Sequence, residues 1–152
     1  MKVINKLSIV VSVYNEEAVL DKFYQTILPI LKGIDSDYEL IFVNDGSRDA
    51  SPAILDRLAM ESNKVKVVHF SRNYGHEAAM IAGIDYSSGD GIICMDADLQ
   101  HPVECIPQIL DTFNQGYEVI SMVRTANKSA GFIKNITSGL FYKILNKISE
   151  VQ

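Results

Sequence analysis

Five short apolar runs, at residues 7–13, 38–43, 65–70, 91–95 and 117–123, alternate with four segments at about 17–33, 51–62, 75–87 and 102–115, in which apolar residues recur three and four positions apart. No other feature constrains the fold as much. Strand, helix and strand in succession form the unit of a parallel sheet, because parallel neighbours require a long crossover connection. The stretches "LSIVV" and "YELIFV" are continuous and rich in β-branched residues, as strands covered on both faces are. The expected architecture is α/β, a Rossmann-like doubly wound and mostly parallel sheet with helices on both faces. Ser51-Pro52 reads as an N-cap followed by Pro at the first helical position, and His101-Pro102 leads into the next helix in the same manner. Gly33, Gly75, Gly89 and Gly116 mark the joins.

Ligands of such sheets bind beyond the carboxyl ends of the strands. The first run ends in "VYNEE", the second in "VNDGSRD", the third in "SRNYGHE" and the fourth in "MDADLQ". In a parallel sheet these four polar clusters fall on one edge, which makes a shared site. Ordinary turns would scatter them over both edges.

The fourth cluster carries the most chemistry. If the strand continued through it, Asp96, Asp98 and Gln100 would share one face and Ala97 and Leu99 the other. Two carboxylates ~6 Å apart repel by roughly 3 kcal/mol at an effective dielectric of about 20. A divalent cation offsets that repulsion, and Mg²⁺ or Mn²⁺, which favour oxygen ligands, combine one or two carboxylates with substrate phosphates. Asp96, Asp98 and Gln100 are the candidate metal ligands. Asp45, followed by Gly46 and Ser47, reads either as an acceptor for the N–H of a flat ring lying on a tight turn or as a turn-forming residue. Tyr14 offers an aromatic face. Glu16 reads either as an acceptor for ribose hydroxyls or as part of a charged first helical turn. His69, His76 and His101 have no partner at a readable spacing and receive no role.

A chain of 152 residues, 47% apolar, builds one ordinary domain with a real core. Cys94 and Cys105 match no metal-ligand spacing and read as buried or half-buried free thiols of a reducing cytoplasm. Lys2 and Lys6 precede an apolar run, but that run is short, contains Ser8 and Ser12 and meets Asn15-Glu16-Glu17, so it reads as a strand and not as a signal peptide. Residues 1–123 carry 9 Lys/Arg against 18 Asp/Glu, whereas residues 124–152 carry 5 against 1. A body so acidic excludes a general nucleic-acid footprint.

The blocks "VVSVYNEE", "VNDGSRDAS", "SRNYGHEAAMIAG", "SGDGIICMDADLQHP" and "GYEVISMVR", in this order and spacing, resemble the family 2 glycosyltransferases. Within that family they look most like the polyprenyl-phosphate branch, of the dolichol-phosphate mannosyltransferase and bactoprenol glucosyltransferase type. The resemblance implies a GT-A fold and an inverting, metal-dependent transfer from a UDP- or GDP-sugar to a polyprenyl phosphate, Asp96-Ala97-Asp98 being the DXD motif. It places Tyr14, Glu16 and Asp45 around the nucleoside and Asp96 and Asp98 at the ribose and the metal-bound diphosphate. Gln100 then lies beside the metal, and Arg124 faces a phosphate of donor or acceptor. Ser12 stands where the family usually has Pro, and His101 where it often has Asp.

Members of this branch continue into a segment whose Asp is assigned to acceptor activation, and then into membrane-spanning helices. No residue up to Gln152 matches that Asp. The expectation is a donor-binding part, 1–125, of a longer enzyme whose base and remaining GT-A elements lie beyond it. A second segment, 126–152, follows. Within it, residues 132–148 read as a basic amphipathic helix that would lie on the cytoplasmic face of a membrane, pack on the sheet, or drive homo-oligomerisation. The competing functions are a non-catalytic nucleotide-binding module, a family 2 transferase acting on a polysaccharide or other glycan, and a haloacid-dehalogenase-type phosphatase. The phosphatase usually has a Thr-like hydroxyl where Gln100 stands.

Overall fold

In the computed structural model, which describes residues 4–100 and 102–122, four strands form one parallel sheet in the order β3-β2-β1-β4. The strands are β1 (Lys6–Val13), β2 (Asp37–Asn44), β3 (Val65–His69) and β4 (Gly91–Asp96). Three helices connect them: α1 (Leu20–Lys32), α2 (Ser51–Glu61) and α3 (His76–Tyr86). A 3₁₀ turn, Val103–Cys105, leads into α4 (Ile106–Asn114). Residues Met1–Ile120 form one unit, and the other, Ser121–Gln152, lies almost wholly outside the described residues, as do Arg124 and the 132–148 segment.

The sequence explains which face each helix covers. On β1, Leu7, Ile9, Val11 and Val13 point to one side and are buried with Leu40 and Phe42 of β2. That side receives the apolar stripe of α1, Leu20, Phe23, Ile27 and Leu31, together with Leu55 and Leu58 of α2 and Val103 and Ile106. Each such side chain contributes roughly 1.5–3 kcal/mol by leaving water, and Phe23 meets Phe42 edge-on at 6.1 Å. The other side belongs to α3, where Ile41 and Val43 pack on Ala79. A methyl group at Gly83 would come within 2.2 Å of Val10 Cγ1, so α3 approaches β1 closely because that position has no side chain.

Chain order creates the crevice. From β1 the path steps through β2 to β3, then crosses back through α3 to β4 on the far side of β1. The reversal between β1 and β4 is a topological switch point, where open α/β sheets bind ligands.

Four expectations are corrected. Residues 117–122 of the fifth apolar run form no strand; Val119 is 90% exposed, and β-propensity without a ladder partner and a covering face does not make a strand. Strand β4 stops at Asp96, and Leu99 adopts φ 58°, so the extended alternation does not reach Asp98 and Gln100. Ser51 begins α2 behind an Ala50 N-cap, its hydroxyl accepting instead from the Glu16 N–H. Cys94 is exposed, on β4, which ends the sheet among the described residues.

Candidate active site

Asp96 ends β4 directly opposite Ser12 of β1. The Ser12 hydroxyl donates to Asp96 Oδ1 at 2.9 Å, and His76 Nδ1 lies 3.0 Å from Ser12 Oγ and 3.4 Å from Asp96 Oδ1. Immediately beyond, Asp98 Oδ1 accepts the Gln100 N–H at 2.9 Å. This Asx-type turn accompanies the left-handed backbone at Leu99, a conformation that costs roughly 1–3 kcal/mol in a non-glycine residue. Leu99 packs partly against the core, which offsets the strain. Ala97 is buried and Asp98 half-buried, so apolar and acidic residues still separate although the strand has ended.

The second positive-φ non-glycine residue, Asn15 at 56°, follows β1 on the other side of the crevice. Asn tolerates this conformation, and here it laces two loops together. Asn15 N donates to Ser47 Oγ and Arg48 N to Asn15 Oδ1, both at 2.9 Å. The pattern continues with Glu17 N to Asp49 Oδ2 and Ala50 N to Glu17 Oε2. Glu16 is thereby held in the rim. Its carboxyl is raised above the ordinary value, first by burial and then by the negative charges of Asp98, Asp49 and Asp96. Four carboxylates therefore share one neighbourhood.

Beside them, over the ends of β1, β2 and β3, opens a cavity of about 340 Å³ whose walls include Tyr14, Asn44, Ser47, Arg48, Phe70 and Arg72. Gly46, at φ 67°, permits it: a Cβ there would lie 2.3 Å from the Arg72 backbone. Tyr14 presents an aromatic face as expected, 45% exposed.

Asp45 behaves differently. It is 3% exposed, and its two oxygens accept the N–H groups of Tyr74 at 2.6 Å and Gly75 at 2.9 Å. In the structure it anchors the loop before α3. The structure thus brings Glu16, Asp96 and Asp98 together, puts Tyr14 in the adjoining cavity, leaves Gln100 exposed and sets Arg124 outside the described residues. Sequence reasoning passed over Ser12, His76, Asp49, Arg48 and Arg72. The register of β1 against β4 reveals Ser12, and the start of α3, 64 residues further along the chain, reveals His76.

A family model for glycosyl transferase family 2 matches residues 8–150. The chain belongs to that family. Among relatives, an uncharacterized glycosyltransferase YkcC of Bacillus subtilis is 43% identical over 95% of this chain and 45% of its own length. A bactoprenol glucosyl transferase of Shigella phage SfV is 39% identical over 95% of this chain and 47% of its own. The family 2 chain thus spans less than half the length of these relatives. Among solved structures, S. aureus TarS 1–349 superposes with a TM-score of 0.60 at 20% identity, covering 72% of this chain and 32% of that one. A Pyrobaculum calidifontis mannosyltransferase in complex with GDP-Man and Mn²⁺ gives 0.54 at 20% identity, covering 64% and 28%. TarS has also been solved with UDP-GlcNAc. These likenesses establish the GT-A fold expected above, and family membership removes the phosphatase alternative.

Proposed function

We propose that this edge of the sheet binds the nucleoside diphosphate of a UDP- or GDP-sugar together with Mg²⁺ or Mn²⁺, in a protein that transfers the sugar with inversion to a polyprenyl phosphate. The observation that carries the reading is the meeting of Asp96, Asp98 and Glu16 at the switch point, where burial first and then the charges of Asp98, Asp49 and Asp96 raise the Glu16 carboxyl. The donor set fits a hard divalent cation, because Asp96, Asp98 and Gln100 offer only oxygen or amide groups. Among the described residues no group of three His, Cys, Asp or Glu could hold a metal. In this reading Asp96, Asp98 and Gln100 supply part of the coordination and water and phosphate the rest, the usual arrangement for Mg²⁺.

Each part of the rim has a task in this reading. Tyr14 stacks on the base, Arg48 and Arg72 give the cavity positive charge beside the acidic cluster, Glu16 accepts from ribose, and Asp45 fixes the loop that forms the cavity's far wall. When bound, the cation neutralises charge that develops on the departing diphosphate. Asp96 and Asp98 hold and orient it. Arg124 faces a phosphate. The acceptor assignment is supported by the Shigella phage relative, named for bactoprenol. The base lies in the remainder of the parent protein, 1–125 being the donor-binding part and 126–152 a juxtamembrane segment on the cytoplasmic side. Among the described residues no helix is long and apolar enough to cross a membrane.

Calorimetric titration of the chain with UDP-glucose, UDP-N-acetylglucosamine and GDP-mannose, with and without Mn²⁺, tests this. One donor should bind, and only with metal. Binding of equal strength without metal would remove the role given to Asp98.

A further inference from the structure

We propose that Ser12 and His76 are positioning residues for Asp96, a hydrogen-bonded chain that sets the carboxylate's orientation before any ligand arrives. The inference rests on the metal-and-donor reading above and adds two residues to it.

The direction of the chain follows from counting protons. An ionised carboxylate only accepts, so the single Ser12 proton is committed to Asp96 Oδ1 at 2.9 Å. The 3.0 Å contact between Ser12 Oγ and His76 Nδ1 then requires the imidazole to donate, which places a proton on Nδ1. The same Nδ1 lies 3.4 Å from Asp96 Oδ1, on the same side. Asp96 Oδ1 thus sits at the end of His76 Nδ1–H to Ser12 Oγ–H to Oδ1.

The far end of the chain is itself pinned. His76 is the first residue of α3, and the preceding Gly75 takes φ 100°. The N–H groups of Tyr74 and Gly75 are held by the buried Asp45. Asp45, directly after β2, therefore fixes the loop, the loop delivers His76, His76 orients the Ser12 hydroxyl on β1, and that hydroxyl orients Asp96 on β4. A Pro at position 12, the residue the family pattern leads one to expect, has no hydroxyl and would leave this chain unmade. Groups behind a metal ligand tune affinity by fixing the ligand's geometry, typically by 10- to 100-fold.

The test is Mn²⁺ binding in the presence of UDP, read from the electron paramagnetic resonance signal of free Mn²⁺, on the 152-residue chain. Ser12→Ala and His76→Ala should each weaken Mn²⁺ retention about 10-fold, while Ser12→Thr, which keeps the hydroxyl, stays within about 2-fold. On an Asp96→Asn background, Ser12→Ala should have no further effect, a result that a general loosening of the fold would not give. Equal Mn²⁺ affinity of Ser12→Ala and the parent chain, or the same loss on both backgrounds, overturns the proposal. If the parent holds Mn²⁺, Asp96→Asn holds it measurably more weakly and Ser12→Ala is unaffected, only this inference fails. If the parent chain holds none, the metal reading fails and takes the inference with it.

Discussion

The two edges of this sheet treat acidic residues in opposite ways. At the amino edge Glu39 is 2% exposed, opposite Ser8 in the β1–β2 ladder. Its Oε1 accepts from the Ser8 hydroxyl and the Ser88 N–H, both at 2.7 Å, and its Oε2 meets Lys66 at 2.8 Å and Lys6 at 2.9 Å. Burial alone would raise this carboxyl, but the contacts from Lys66, Ser8, Lys6 and Ser88 hold it well below the ordinary range. At the carboxyl edge Glu16 is raised, by burial and by three further carboxylates. One sheet thus builds a closed charge balance at its floor and leaves an open one at its rim. The floor serves folding, and the rim is where the proposed function puts a cation.

The comparison breaks first at Asp98. Asp98→Ala should abolish metal-dependent donor binding, a loss of about 100-fold or more if the residue is a direct ligand, while metal-free stability stays unchanged or rises slightly. Calorimetric titration with and without Mn²⁺ measures the first, and urea unfolding the second. Destabilisation without loss of metal dependence would make the rim another floor.

Glu39→Gln is the mirror experiment. Removing the anion leaves Lys6 and Lys66 facing a neutral group beside the strands, and about 3 kcal/mol of stability should be lost, seen as a lower urea midpoint. Metal affinity should not change. The two substitutions exchange phenotypes if the edges have been assigned the wrong way round.

Acid titration separates the edges by sign. Glu39 is depressed in the folded protein, so its contribution is present above the unfolded carboxylate value of about 4.3 and is lost as pH falls below it. Glu16 is raised, so it favours the folded state when protonated, and its contribution is lost as pH rises from that same value. Urea midpoints should therefore rise with pH between about pH 3 and 5 in the parent, where the strongly held Glu39 dominates, and stop rising above that. In Glu39→Gln that slope should flatten.

The floor and the rim were not equally legible in the sequence. All four strands and their helices emerge from hydrophobic period, since "LSIVV" and "YELIFV" admit little else, and the clustering of polar ends on one edge follows from parallel order. The end of β4 does not emerge. Leu99 is a poor residue for left-handed backbone, and only its packing and the Asp98–Gln100 turn impose it. Asp45 carries the same composition whether or not it holds a loop, and only its burial and the Tyr74 and Gly75 amides show that it does. Glu39 looked like one more charge in a strand, and Ser12 like a small departure from a family Pro. Both matter because of neighbours distant in sequence: Ser88 and Lys66 for the one, His76 and Asp96 for the other.

The smallest effect is also the most direct probe of the rim. In Glu16→Gln one of four neighbouring carboxylates loses its charge while the side chain keeps its shape. Partial exposure and solvent screening limit the relief to about 0.5 kcal/mol, and the urea midpoint near neutral pH should rise by that amount without metal. Added Mg²⁺ should shrink the gain, because a cation at Asp96 and Asp98 already quiets the field that Glu16 feels. Donor affinity should fall at the same time, because a neutral amide oxygen accepts from ribose more weakly than a carboxylate. If the gain persists undiminished at saturating Mg²⁺, the cation does not sit among these carboxylates, and the contrast between a closed floor and an open rim loses its functional meaning.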